Sequence, residues 1–196
     1  MIISDLLRSG SKILKNCKVQ SHLLDSEIML SSLLKKKKEQ IIINSEKKVP
    51  RSTINDFNKL IIRRSKKEPL AYILKKKEFW SKSFFVNRNT LIPRPETELL
   101  CDMVIKKIKD KKPFILDLGT GTGCILLSIL SENKKAKGLG IDISKKAIEV
   151  AKKNSYSHGL NKRAVFLTRS LDKINNYKFD LIVSNPPYIK TSDIKN

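Results

Sequence analysis

The second half of the chain alternates short apolar segments with amphipathic ones, and this alternation limits the fold more than any other feature. The apolar segments read FILDLG, AKGLGID, AVFLT and FDLIVSN, and helical patterns begin at Cys124 and Ser144 between them. Neighbouring parallel strands need long crossover connections, which are usually helices. The sequence therefore predicts an α/β fold with a parallel sheet of four strands.

The first part of the chain has a different periodicity. From Ile2 to about Lys67, apolar residues recur at spacings of three and four, which is typical of amphipathic helices, and the last of these helices is expected to end near Pro69. Residues 77–91, KEFWSKSFFVNRNTL, predict a β-hairpin, and a helix is expected over about 96–109. We therefore divide the chain into a small all-α domain, 1–75, and a second part, 76–196, with the hairpin linker and the α/β domain.

The loop after the first predicted strand reads DLGTGTG and stands directly before a helix. Its glycines allow a tight turn and let a ligand lie against the backbone, while the helix N-terminus supplies unpaired N–H groups. The next strand ends in Asp142, whose carboxylate can accept hydrogen bonds from two ribose hydroxyls. The pattern predicts a nucleoside cofactor site made of Asp117, Gly119, Thr120, Gly121, Thr122, Gly123 and Asp142.

Two classes of cofactor fit such a loop. The spacing GxGxG departs from the GxGxxG fingerprint of dinucleotide sites, and Asp117 suits an ammonium group better than a pyrophosphate. S-adenosylmethionine has both an amino group and a ribose, so it is the favoured cofactor. A nicotinamide cofactor is the alternative, although the sequence shows no separate machinery for accepting a hydride.

The fourth predicted strand runs into the stretch VSNPPYI, whose two prolines end the strand at Asn185. Open α/β sheets bind ligands beyond the carboxyl ends of their strands, so this stretch is expected beside the glycine loop. The tetrapeptide NPPY resembles the signature of amino-methyltransferases, which act on adenine, cytosine or glutamine. Each of these substrates has a planar NH2 group whose delocalised lone pair makes it a poor nucleophile.

The NPPY residues can make such an NH2 group a better nucleophile. The side-chain oxygen of Asn185 and the carbonyl of Pro186 can both accept N–H bonds from the substrate and direct its lone pair at a methyl group. Tyr188 can pack on the planar group, and the prolines hold the carbonyl outward. We therefore expect Asn185, Pro186 and Tyr188 to be catalytic, Asn185 to Tyr188, including Pro187, to bind the substrate, and Asn185 also to adjoin the cofactor.

Charge is a weaker guide to function. The net charge of +22 would suit a nucleic-acid ligand, but only eight of the 41 basic residues are arginine. Lysine runs such as KKKK at 35–38 are typical of solvated faces, and the abundance of lysine, isoleucine and asparagine is typical of an AT-rich genome. Nucleic acid is therefore not the expected substrate.

Three further classes are disfavoured by composition. Apolar runs such as CILLSIL reach only seven residues, against the roughly 20 that span a bilayer, so no membrane segment is expected. Cys17, Cys101 and Cys124 stand singly and the two histidines are isolated, which predicts neither a disulfide framework nor a metal site. A cytoplasmic protein is expected.

Four more segments complete a family pattern: DSEIML at 25–30, EPLAYIL at 68–74, EFW at 78–80 and LIPRPETE at 91–98. Together with ILDLGTGTG and SNPPYI, they resemble the peptide chain release factor glutamine methyltransferases, the PrmC/HemK family. The resemblance implies a class I, Rossmann-like, S-adenosylmethionine-dependent methyltransferase domain. It also implies a helical N-terminal domain that docks a release factor, and methylation of the side-chain amide nitrogen of its Gly-Gly-Gln glutamine.

The resemblance further implies residue roles. Residues 119–123 would hold the methionine part of the cofactor, Asp142 its ribose, and 185–188 the glutamine, while PRPETE at 93–98 would border the active site. After the third strand, where the family carries an acid and a large residue near the adenine, this chain has Ser170 and Leu171. Leu171 is thus the expected adenine contact, and Asp172 is a possible substitute for the acid.

The sequence ends seven residues after Ile189, whereas a class I sheet has three more strands, so we expect a C-terminally incomplete methyltransferase domain. Two alternatives to a glutamine methyltransferase stay open. A DNA or RNA adenine N6-methyltransferase also fits NPPY and the charge, but it would need a base-flipping pocket. A non-catalytic truncated remnant would bind its ligand without turnover.

Overall fold

The computed structural model describes residues 1–109, 111–174 and 177–186. The chain divides into two compact units, one over residues 1–74 and the other from Lys75 onward. Each unit has its own hydrophobic core. Within the described residues, no helix combines the length and the apolar character that are needed to cross a bilayer.

Residues 1–74, all of which the structure describes, are helical as the periodicity predicts. The helices are α1 (Ile3–Asn16), α2 (His22–Leu34), α3 (Lys38–Ile43), α4 (Arg51–Ser65) and α5 (Leu70–Leu74). Their apolar faces meet in a core that includes Leu14, Met29 and Phe57. Helices α1 and α4 approach closely at Gly10, where an added Cβ would lie 2.7 Å from the Phe57 ring.

The prediction that the last helix ends near Pro69 is wrong. Helix α5 begins directly after this proline, and the N–H groups of Tyr72 and Ile73 both donate to the Pro69 carbonyl. Proline suits the start of a helix because its ring fixes φ and its missing N–H would have no helical partner there. Pro69 therefore begins a helix instead of ending one.

The DSEIML segment has a structural role in this unit. Asp25 on α2 is only 4% exposed, and its Oδ2 accepts hydrogen bonds from Arg64 Nε at 2.6 Å and from the Ser21 hydroxyl at 2.9 Å. Arg64 also donates to the Glu68 carbonyl at 3.1 Å. A largely buried ion pair thus joins α2 to α4.

We expect Asp25→Ala to lower the free energy of unfolding by about 3 kcal/mol, because it leaves the buried Arg64 guanidinium without its carboxylate. Asp56 is the matched control, since it pairs with Lys59 at 3.0 Å on the exposed surface of α4. Asp56→Ala should change the same free energy by less than about 0.5 kcal/mol. Urea titration measures both, and equal losses would contradict the role given to Asp25.

The second unit opens with the predicted hairpin, formed by β1 (Lys76–Phe79) and β2 (Lys82–Phe85). Its turn residues, Trp80 and Ser81, both have left-handed φ values, 53° and 52°. This is the geometry of a type I′ turn, whose twist matches that of the two strands. The hairpin is confirmed, but it ends at Phe85 and is shorter than the segment that predicted it.

The rest of the unit confirms the α/β fold with a parallel sheet. Helix α6 (Thr97–Lys107) precedes β3 (Phe114–Leu118), α7 (Cys124–Glu132), β4 (Lys137–Asp142), α8 (Lys145–Ser157), β5 (Ala164–Thr168) and β6 (Leu181–Ser184). The strands are all parallel, in the order β5-β4-β3-β6. One face of the sheet packs on the helices in a core that includes Val104, Leu126 and Ile148. The other face carries a smaller cluster around Leu116, Leu139 and Ile141.

Candidate active site

The carboxyl ends of β3 and β6 bring the two predicted motifs together. Strand β3 lies between β4 and β6, so the direction in which the chain adds strands reverses at β3. Leu118 pairs in register with Ser184, and the glycine loop and Asn185 therefore begin beyond neighbouring strand ends. Open α/β sheets bind ligands in the crevice at such a reversal.

The glycines of the loop serve two different purposes. Gly119, Gly121 and Gly123 have positive φ values of 71°, 53° and 77°, which side-chain-bearing residues rarely adopt. A Cβ at Gly123 would lie 3.1 Å from the Phe166 ring, so this glycine is needed for packing. Among the described residues, apart from the two that adjoin Gly119 in the chain, no atom lies within 4 Å of a Cβ built at Gly119, so the backbone there is open to a ligand.

Asp142 ties this loop to the end of β4. Its Oδ2 accepts from the Gly121 N–H at 3.0 Å, and its Oδ1 accepts from the Ser144 N–H at 2.9 Å. Each carboxylate oxygen keeps a lone pair for a further donor. Because the residue is only half-buried, both oxygens can still accept from ribose hydroxyls.

Asp117 is fully buried near the end of β3. The Thr120 hydroxyl donates to its Oδ2 at 2.6 Å, whereas its Oδ1 makes no hydrogen bond of regular geometry to a described residue. Burial raises the pKa of Asp117 from 3.8 to about 6, and the Thr120 hydroxyl and the Leu126 N–H, which favour the carboxylate, offset this only in part. A cationic group beside Oδ1 would supply the missing partner.

The two threonines of the loop turn their side chains inward. Thr120 is 6% exposed and Thr122 is 3% exposed. The Thr120 hydroxyl is bonded to Asp117, and the Thr122 hydroxyl accepts from the Cys124 N–H at 3.3 Å. A cofactor on this loop would therefore meet the backbone of the threonines, not their hydroxyls.

Sequence reasoning missed Asn154, which connects the glycine loop to the hairpin. This fully buried side chain on α8 donates to the Thr122 carbonyl at 2.9 Å and to the Phe85 carbonyl at 3.0 Å. Its Oδ1 accepts from the Phe85 N–H at 2.7 Å. A signal was available, because an asparagine interrupts an apolar helix face whose other buried members include Ala147, Ile148, Val150 and Ala151.

Asn185 lies in the wall of a cavity of about 760 Å³. The cavity is lined by Leu91, Arg94, Glu96, Thr97, Leu100, Ser184, Asn185 and Pro186. Asn185 Nδ2 donates to Thr97 Oγ1 at 2.9 Å, and Pro186 is exposed. Pro187 and Tyr188 lie outside the described residues, and their roles stay predictions.

The PRPETE residues divide between this cavity and the hairpin. Arg94, Glu96 and Thr97 line the cavity. Glu98 instead accepts the Trp80 N–H at 2.8 Å, and so fixes the hairpin turn to the start of α6. The segment is therefore both a wall of the candidate site and an anchor for the hairpin.

Comparison with known proteins places these features in one family. Residues 5–74 match the PrmC N-terminal domain, and residues 95–196 match the methyltransferase small domain. The release factor glutamine methyltransferase of Buchnera aphidicola subsp. Baizongia pistaciae is 41% identical, over all of this chain and 70% of that protein. The chain belongs to the release factor glutamine methyltransferase family.

A second release factor glutamine methyltransferase, from Leptospira interrogans, is 40% identical over 97% of this chain and 68% of that protein. Among solved structures, a ribosomal protein L11 methylase from Lactobacillus delbrueckii subsp. bulgaricus is 26% identical, with a TM-score of 0.45 over 52% of this chain and 51% of that one. The chain thus spans about 70% of the length of these two release factor glutamine methyltransferases.

Membership in the release factor glutamine methyltransferase family confirms the class I methyltransferase fold and S-adenosylmethionine as its cofactor. The residues at the sheet edge fit this cofactor. The half-buried Asp142 carboxylate can accept from ribose hydroxyls, Gly119 leaves the backbone accessible, and Asp117 Oδ1 is a buried acceptor that lacks a regular hydrogen bond to a described residue, which an ammonium group could supply. The nicotinamide alternative is not favoured.

In the loop after β5, the sequence departs from the pattern that the family resemblance predicts near the adenine. Leu171 begins a short 3₁₀ turn, Leu171–Lys173, and is 53% exposed. The Ser170 hydroxyl donates to the Asp172 carboxylate and lowers the pKa of Asp172. Because Asp142 pairs with Thr168, this loop leaves the same edge of the sheet as the Asp142 carboxylate, and Leu171 remains a predicted adenine contact.

Two buried thiols near the sheet, those of Cys101 and Cys124, are not nucleophiles. Burial raises the pKa of both Cys101 and Cys124 to about 12. The thiolate is the reactive form of cysteine, so neither side chain attacks an electrophile at neutral pH. Both thiols therefore stay protonated at neutral pH.

Proposed function

We propose that this chain transfers a methyl group from S-adenosylmethionine to the side-chain amide nitrogen of the glutamine in the Gly-Gly-Gln motif of peptide chain release factors. The observation that carries the proposal is the position of Asn185. It ends the strand beside the glycine loop, lines a cavity, and stands in a chain of the release factor glutamine methyltransferase family. A planar NH2 group held by Asn185 would lie next to the methyl donor.

Asn185 and Pro186 would activate the substrate nitrogen. The lone pair of a glutamine amide is delocalised into its carbonyl, which makes the nitrogen weakly nucleophilic. The Asn185 oxygen and the Pro186 carbonyl would each accept one N–H, which fixes the group and increases electron density on nitrogen. S-adenosylmethionine, when bound, supplies an electrophilic methyl group on a sulfonium. Methylation makes an N–H group on this nitrogen acidic. The same two acceptors would hold that group until water removes its proton.

The remaining site residues would hold the cofactor. Asp117 would pair with its ammonium group, the backbone of residues 119–123 would contact its methionine part, and Asp142 would bind its ribose. Leu171 would cover the adenine. Pro187 and Tyr188, outside the described residues, keep their proposed contacts with the glutamine side chain.

A labelled-methyl assay tests this function. Purified chain, labelled S-adenosylmethionine and a purified release factor should give a labelled release factor, and a release factor with Gly-Gly-Ala in place of Gly-Gly-Gln should stay unlabelled. Duplex DNA in a parallel reaction should also stay unlabelled. Label on DNA alone would favour an adenine methyltransferase, and cofactor binding without label on either would favour the non-catalytic remnant.

We further propose that the helical domain, 1–75, docks the release factor and that residues 76–196 carry out the chemistry. A groove of about 560 Å³ on the helical domain is the proposed docking surface. Its apolar lining includes Leu7, Leu23 and Ile42, and the last two are 62% and 51% exposed. Its cationic lining residues are Arg8, Lys12 and Lys15, with His22 beside them, while its one acid, Glu27, lies 3.9 Å from Lys38.

The lining of this groove indicates the chemistry of its occupant. Three cations beside exposed leucine and isoleucine side chains fit a release factor segment with an apolar anchor and neighbouring acidic residues. Such charges mainly steer association, so their contribution should weaken as salt rises. The proposed reaction takes place in the cytoplasm, where release factors act.

Replacing Arg8, Lys12 and Lys15 together with glutamate should raise the KM for an intact release factor by about tenfold or more at low salt, with kcat unchanged. The reason is that charge reversal weakens docking but leaves the α/β domain intact. The matched control reverses three exposed lysines outside the groove, Lys47, Lys48 and Lys66, and should leave KM near the wild-type value. Steady-state kinetics at two salt concentrations measures both. If KM rose equally in the groove variant and the control, the lysines would act by general electrostatic attraction. If KM rose in neither, the release factor would dock elsewhere.

A further inference from the structure

Asn185 needs a defined orientation to act on a substrate NH2 group. Its side-chain amide has an acceptor end and a donor end, and only the oxygen can accept a substrate N–H. A flipped amide would place its own NH2 against the NH2 of the substrate, so two donors would face each other. The proposed role of Asn185 therefore depends on whatever holds its nitrogen away from the substrate.

The nitrogen end of Asn185 is held by Thr97. Asn185 Nδ2 donates to Thr97 Oγ1 at 2.9 Å, although the two residues are 88 positions apart in the chain. Thr97 is 8% exposed, and both residues line the same cavity. With Nδ2 bound to this hydroxyl, the amide oxygen is the end that is left for a ligand.

Thr97 is itself held on a rigid part of the fold. It is the first residue of α6, and its N–H donates to the Arg94 carbonyl at 3.1 Å. The next residue, Glu98, accepts the Trp80 N–H at 2.8 Å, and Cys101 one turn later is fully buried. These contacts fix the hydroxyl before a substrate arrives, which is the condition for a preorganised site.

We propose that Thr97 is the positioning residue that orients the Asn185 amide for catalysis. The inference rests on the proposed amide methylation. It gives the threonine of PRPETE a role of its own, distinct from the helix-starting prolines and from Glu98. Thr97 does not touch the reacting atoms, and it acts only through Asn185.

Two substitutions at Thr97 separate the hydroxyl from the shape of the side chain. Thr97→Val keeps the volume but removes the acceptor, and should lower kcat about 10- to 100-fold through misorientation of Asn185. KM for the release factor and the dissociation constant for S-adenosylmethionine should both stay within about twofold. Thr97→Ser keeps the acceptor and should restore most of kcat. A valine variant with wild-type kcat, or a serine variant as slow as valine, would overturn the proposal.

A second measurement does not depend on turnover or on a stable valine variant. In the wild-type chain, NMR should show slower hydrogen exchange of the Asn185 side-chain NH2 than of the exposed Asn58 NH2 on α4. Equal exchange at the two sites would overturn the proposed bond. A wild-type chain that methylates no release factor would refute the proposed function, while the exchange measurement would still decide whether Thr97 holds the Asn185 amide.

Discussion

Asn185→Ala should lower the rate constant for methyl transfer by roughly 10²- to 10³-fold, because it removes the acceptor that fixes the substrate NH2 group. The Pro186 carbonyl remains, but a single acceptor leaves the amide free to rotate away from the methyl donor. The dissociation constant for S-adenosylmethionine should change by less than about threefold, since the lost interaction acts on the reacting nitrogen. Single-turnover assays give the rate constant, and calorimetry gives the affinity.

Asn161→Ala is the matched control for this experiment. Asn161 is an exposed asparagine of the same domain, in the connection between α8 and β5. Its removal should leave both the rate constant and the affinity near their wild-type values. Equal rate constants in the two variants would remove Asn185 from catalysis, and a large loss of affinity in Asn185→Ala would assign it to the cofactor instead.

Asp117→Asn should make the cofactor-free protein more stable at neutral pH. The Asp117 carboxyl ionises near pH 3.8 when exposed and near pH 6 in the folded chain, so between these values the folded state binds the proton more tightly. Ionisation therefore costs the folded state stability as pH rises, and the full cost of roughly 2 to 3 kcal/mol is present above about pH 6. Asparagine has no such cost.

Urea titration of both proteins at pH 4 and at pH 8 isolates this effect. The difference in unfolding free energy between Asp117→Asn and wild type should shift in favour of the variant by about 2 kcal/mol from the lower to the higher pH. Other titrating groups cancel because they are shared. A difference that does not depend on pH would mean that the pKa of Asp117 is the same in the folded and unfolded states, and that burial does not raise it.

The same substitution should weaken cofactor binding. A carboxylate beside the ammonium of S-adenosylmethionine is stabilised in its charged form, so wild-type affinity should rise as pH passes about 6 and then level off. Asp117→Asn should bind the cofactor about 10- to 100-fold more weakly at pH 8, with a flatter pH profile. Calorimetric titration across this range gives both quantities. Undiminished affinity would place the ammonium elsewhere.

The sheet and the edge that carries the site could be predicted because local sequence determines them. The ends of β3, β4 and β6, at Leu118, Asp142 and Ser184, are marked by changes in apolar periodicity, and parallel strands bring their carboxyl ends to one edge. The helical N-terminal part is equally visible in its spacing. Pro69 misled the prediction because proline is compatible with both the end and the start of a helix.

The interactions that organise the site could not be predicted because they join distant parts of the chain. Thr97 meets Asn185 only when the start of α6 lies beside the end of β6, and Asn154 meets Phe85 from 69 positions away. No local pattern records such a pairing. A motif also does not show which of its residues are buried. The glycine-loop sequence therefore did not reveal that Asp117 would have a raised pKa or that Thr120 would face inward.

Asn154 links the hairpin to the glycine loop. The buried Asn154 amide accepts from the Phe85 N–H and donates to the carbonyls of Phe85 and Thr122, so both segments are hydrogen-bonded to the same side chain. Coupling between two sites is reciprocal in free energy. A ligand that ordered the glycine loop would therefore also restrain the end of β2 through Asn154, and a change at Phe85 would in turn alter how tightly the loop holds its ligand.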